Sequence, residues 1–133
     1  MSAWRRVANE CMPWAVKIAE EAPSPMALWI ELLLIFERAF DSGDASRVGN
    51  VMRYARWCWD SPSSDTVTAV ACAFFEHLPE HPGIRKAIPS LFSRAEFERL
   101  RDVFRYHAGD AVVDELALEF RSSPMRKAAH ARG

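Results

Sequence analysis

Residues 25–41 read PMALWIELLLIFERAFD, and this stretch decides the architecture. Its apolar residues stand nearly all round a helical wheel. The polar arc is limited to Glu31, Glu37, Arg38 and Asp41, with Leu34 lying among them. A helix of this kind is normally central, touching neighbours on several sides. Ser24 is placed to cap its start and Pro25 suits the first helical position. Ser42-Gly43-Asp44 then supplies a glycine just past its end and a cap for the next helix.

Helical spacing continues on both sides of this segment. Upstream, Trp4, Val7, Ala8, Cys11, Ala15, Ile18 and Ala22 recur at three- and four-residue steps, with Pro13 inside the pattern. The segment is therefore one kinked helix or two short ones. Downstream, a helix over 45–60 places Val48, Val51, Met52, Ala55, Cys58 and Trp59 on one stripe, with Asn50, Arg53, Arg56 and Trp57 opposite. A fourth helix over 66–78 has Val67, Val70, Ala71, Phe74, Phe75 and Leu78 on its wide face and Ala69, Cys72 and Ala73 on a second, smooth one.

Pro79, Pro82, Gly83 and Pro89 predict an irregular connection with one helical turn over 84–88. Ser93-x-x-Glu96 is a capping box opening a helix that ends at Gly109, and Asp110 is placed to cap the last one. No segment alternates apolar and polar residues long enough for a half-buried strand. The chain reads as all-α: a compact bundle of about five to six helices with short Pro/Gly-rich connections. It is expected to form a single domain over 1–121, followed by a basic, disordered tail over 122–133.

With 133 residues, half of them hydrophobic, the chain can bury a substantial core. Its net charge of −1 conceals an asymmetry. Arg121, Arg126, Lys127 and Arg132 follow the last acid, leaving 13 basic against 18 acidic residues through Phe120, a net of −5. An acidic body with four spread charges behind it disfavours nucleic acid as a partner. Cys11, Cys58 and Cys72 form no CxxC pair and fall on faces expected to be buried, which suggests reduced thiols in a cytoplasmic protein. Residues 1–11 lack the apolar run of a signal peptide, and the apolar stretch at 26–36 is too short to span a bilayer, so no membrane association is expected.

Two polar constellations stand out. His77-Leu78-Pro79-Glu80-His81 matches the H-x-x-E-H zinc-hydrolase pattern, which needs both histidines on one face of a continuous helix. Pro79 between them argues for a chance match, so no metal, cofactor or catalytic residue is assigned. Glu76 and His77 are the polar pocket candidates, because a carboxylate on a buried face needs a partner and perturbed carboxylates concentrate in functional pockets. On the third helix, Arg53, Arg56 and Trp57 share the polar side, and arginine and tryptophan are enriched at binding hot spots. They are the partner-binding candidates; the alternative is that the amino-terminal helix or a loop covers Trp57.

The stretches Phe36-Glu37-x-Ala39-Phe40-x-Ser42-Gly43-Asp44 and Ala69-Val70-Ala71-x-Ala73-Phe74-Phe75-Glu76-His77-Leu78-Pro79 resemble a group of small bacterial helical domains. The similarity covers residues 12–106. Relatives of this kind are sometimes encoded near secreted toxins and suspected to be immunity proteins. The resemblance implies an all-α architecture and no catalytic residue. The expected function is that of a protein-binding module, an immunity-like or regulatory partner of another bacterial protein. The alternative is a metal-dependent or acid–base hydrolase built around Glu76, His77, Glu80 and His81. Nothing in the sequence specifies the partner's identity or the oligomeric state.

Overall fold

A computed structural model describes residues 1–122; the basic tail beyond Ser122 lies outside the described residues. All the regular structure in these residues is helical, with no strand among them. They form eight α-helices, not the five or six expected, together with two 3-10 segments. The two extra helices arise where prolines obscured the pattern, at Pro13 and between Pro82 and Pro89. Two compact units are present, Met1–Phe74 and the residues from Phe75 on.

The first unit begins with α1, Ala3–Cys11, which stops at Met12 (φ −133°, ψ 71°). Pro13 opens a 3-10 turn, Pro13–Ala15, leading into the short α2, Val16–Glu21. Arg5 binds the pair together: its Nη2 donates to Ala22 O at 2.7 Å and its Nε to Ala19 O at 3.3 Å. These are carbonyls that a helix end otherwise leaves unpaired.

Helix α3, Pro25–Ser42, starts as its sequence requires, with Ser24 Oγ accepting from Ala27 N–H at 3.1 Å. It stops at Gly43, whose φ of 76° is a left-handed value suited to glycine. Asp44 caps α4, Ala45–Trp59, by accepting from Arg47 N–H. Helix α3 packs on α4 and on α5, Ser64–Ala73, the central position expected of it. The core of this unit is aromatic. Trp29 stacks on Tyr54 at 5.2 Å, and Phe74 meets Trp29 at 4.7 Å and the edge of Phe36 at 5.0 Å.

Helix α5 ends at Ala73 instead of reaching Leu78, because Phe74 leaves helical geometry (φ −127°, ψ −71°) and a 3-10 segment, Phe75–Glu80, follows with Pro79 inside it. Its buried face is Thr66, Ala69, Val70 and Ala73. Cys72, expected inside, is exposed, whereas Cys11 and Cys58 are buried.

The second unit opens with that 3-10 segment. Helix α6, Pro82–Leu91, fills the stretch expected to be irregular. Pro82 occupies its first turn, where a missing N–H costs nothing, and Pro89 sits inside it, buried beside Ile88. The capping box at Ser93 and Glu96 forms with both bonds in place and starts α7, Arg94–Ala108. Gly109 turns the chain at φ 88° into α8, Asp110–Arg121. Asp110 is the first helical residue and not the cap. Its carboxylate instead forms an ion pair with Arg105, Oδ1 to Nε at 2.7 Å, without the alignment of a hydrogen bond. The core here is a chain of phenylalanines: Phe75 against Phe92, Phe92 against Phe104, and Phe97 stacked on Phe104 and Phe120.

Candidate functional site

The polar residues singled out around Glu76 belong to the second unit. The 3-10 winding of residues 75–80 buries Phe75, Glu76, Leu78 and Pro79 and leaves His77 half-buried and Glu80 exposed. Glu76, 9% exposed, meets a partner from the last turn of α7: His107 Nε2 lies 3.0 Å from its Oε1. The His107 ring in turn stacks on His77 at 4.8 Å, and His77 Nδ1 lies 3.1 Å from Glu80 Oε2. Tyr106, 75% exposed, presents itself edge-on to His107 at 5.0 Å. Glu76, His107, His77 and Glu80 therefore form one continuous chain of two carboxylates and two stacked imidazoles.

His81 serves as a helix cap. Its Nδ1 accepts the Ile84 N–H at 3.1 Å and caps α6, work usually done by Ser, Thr, Asp or Asn. The two histidines of the H-x-x-E-H match thus serve different partners on a segment that is not an α-helix. Among the described residues, no group of three or more His, Cys, Asp or Glu side chains is arranged to hold a metal ion.

The side of α4 that carries Arg53, Arg56 and Trp57 is occupied to a large extent by the chain's own amino-terminal segment. Trp14 Nε1 donates to Asn50 Oδ1 at 3.0 Å, and the Arg47 guanidinium lies over the Trp14 ring at 4.3 Å. Tyr54 Oη donates to Trp4 O at 2.9 Å, and Arg53 Nη2 reaches Cys11 O at 3.4 Å. Trp57 is half-buried and stacks on Tyr54 at 6.2 Å, Arg56 is half-buried, and Arg53 is exposed. Tyr54 makes no appearance in the sequence reading, yet it is fully buried at the centre of this arrangement. Burial raises its phenol well above the usual value and pushes the neighbouring Cys58 thiol up to about 12.

A further surface, only partly legible in the sequence, lies on α3. Ile30 and Leu34 of α3 are 56% and 51% exposed, among the few large apolar side chains left open to solvent. They stand one helical turn apart on a stripe that also carries Ala27, Glu31 and Arg38. Beside the stripe, Ile18, Glu21, Ala22, Pro23, Ala27 and Glu31 line a groove of about 300 Å³. The place of Leu34 among the polar residues of the wheel signals its exposure, but the near-uniform hydrophobicity of residues 25–41 conceals that Ile30 shares it.

Comparison of the chain with protein-family models, with curated proteins and with solved structures finds no match. No helix among the described residues is long and apolar enough to cross a membrane.

Proposed function

We propose that this chain is a protein-binding module, an immunity-like or regulatory partner of another bacterial protein. The observation that supports this reading is the open stripe of α3, where Ile30 and Leu34 are exposed beside a groove. Aliphatic side chains held in water on a well-packed helix contribute nothing to folding there, and they are the raw material of an interface core. The side of α4 at Arg53, Arg56 and Trp57 is the second candidate face. Arg53 is exposed there, although much of the surrounding surface is bound to the amino-terminal segment.

Site-specific photo-crosslinking tests the reading. A photoreactive phenylalanine analogue at position 34, in the producing cells, should yield one discrete protein adduct. The purified adduct partner should bind the wild-type chain and lose at least about tenfold in affinity for Ile30→Asp/Leu34→Asp. Adducts only from position 53 would move the interface to α4. Adducts from neither position would remove the support for a binding module.

The hydrolase alternative draws less support. Glu76, His77 and His81 each engage a different group, namely His107, Glu80 and the Ile84 amide.

A further inference from the structure

We infer that the open stripe of α3 takes a basic amphipathic helix, with Glu21 and Glu31 selecting its charge; the inference rests on the protein-binding reading above. The stripe has the residue spacing along which a second helix can pack. Ala27, Ile30, Leu34 and Arg38 follow one another at three- and four-residue steps, so a helix lying along α3 meets a continuous line of contacts. The groove beside Ala27 is lined by the apolar Ile18, Ala22 and Pro23 and by the carboxylates of Glu21 and Glu31, so it suits a side chain with an aliphatic stem and a cationic end.

Charge decides the occupant. Along α2 and the outer side of α3, Glu20, Glu21, Glu31, Glu37 and Asp41 stand against Lys17 and Arg38, five carboxylates to two cations and a net of −3. Among the described residues, Glu20, Glu21, Glu31 and Glu37 have no ion-pair partner. A neutral helix would desolvate some of these carboxylates without compensating them, which is costly. A second copy of this chain would bring −3 against −3. A helix with an aliphatic stripe flanked by lysine or arginine satisfies both the apolar line and the acids beside it.

The test uses the full chain and two labelled peptides of about 18 residues, or five helical turns. Both carry leucines at i, i+4 and i+7; one has lysines on its flanks and the other glutamates. In fluorescence anisotropy the lysine peptide should bind, and its affinity should fall about tenfold or more between about 0.05 M and 0.5 M salt. Glu21→Lys/Glu31→Lys should weaken it by about tenfold or more, and Ile30→Asp/Leu34→Asp should abolish it while the helical circular dichroism signal is retained. Equal binding of the glutamate peptide would overturn the charge selection and leave the α3 face standing. Absence of binding by both peptides, or binding indifferent to Ile30→Asp/Leu34→Asp, would overturn this inference, while the protein-binding reading itself stands or falls with the crosslinking at positions 34 and 53. A wild-type dimer in sedimentation that Ile30→Asp/Leu34→Asp converts to monomer would make the second copy the occupant and overturn the inference.

Discussion

His107 Nε2 lies 3.0 Å from Oε1 of Glu76, and this contact holds the final turn of α7 to the 3-10 segment that opens the second unit. A carboxylate this buried is stable only while its partner is present. His107→Ala should therefore destabilise the protein by about 1–3 kcal/mol, the cost of leaving a buried polar group unsatisfied. Adding Glu76→Gln should recover part of that loss. A double-mutant cycle in urea should return a coupling of about 1 kcal/mol, moderated by the partial exposure of the imidazole. Strict additivity would mean that the two side chains do not support each other.

The histidine at position 81 is a helix cap. His81→Ala should cost about 1 kcal/mol, and His81→Asn should restore most of it, since an amide oxygen can also accept from Ile84 N–H. Protein purified without a histidine tag should contain zinc well below one equivalent. Stoichiometric zinc that disappears in His77→Ala/His81→Ala would reverse the assignment and promote the hydrolase.

Phe74 touches Trp29 and Phe36, and its ring is fully buried. Phe74→Ala should cost about 3–5 kcal/mol in chemical denaturation. Ile30→Asp, on the open stripe of the same unit, should change stability by no more than about 0.5 kcal/mol. A large loss for Ile30→Asp would show that the stripe is packed against something in solution.

Alkaline pH should weaken the fold in a defined window. Cys58 keeps its proton in the folded chain up to about 12, whereas in the unfolded chain it releases it near 9.0. The unfolded state therefore binds fewer protons between those values. Stability is intact below pH 9.0 and declines as pH rises toward 12, by at most about 1.4 kcal/mol per pH unit for this group. Tyr54, raised in the same direction by burial, adds to the decline above its ordinary 10.0. Urea midpoints measured at about pH 8.5 and 10.5 should diverge more for the wild type than for Cys58→Ala. Equal divergence would acquit the thiol.

Local signals were legible in the sequence and remote pairings were not. Ser24 with Pro25, Gly43 with Asp44, and the Ser93/Glu96 box each act within a few residues, so their sequence order is their geometry. The all-helical character followed from the same local spacing. His81 as a cap was hidden because an imidazole rarely does that work, and Pro82 and Gly83 beside it signalled a loop. The early end of α5 was hidden because Phe74 and Phe75 are chemically identical, and hydrophobicity does not say which core each enters. Glu76 was recognised as a carboxylate in need of a partner, but only the packing of α7 on its segment supplies His107. For Arg53, Arg56 and Trp57, spacing does not choose between an open face and one covered by the amino-terminal helix, and only the docking of Trp4 and Trp14 on the same helix shows how much of it is occupied.

The break at Phe74 also bears on how the chain is made. Phe74 completes a cage of Trp29, Phe36 and Tyr54, and every residue of that cage precedes the first residue of the next core. A ribosome releasing the chain from its amino end therefore delivers a complete aromatic centre before Phe92, Phe104 or Phe120 has emerged. The nascent protein can settle one centre at a time, in the order of translation, without waiting for its far end.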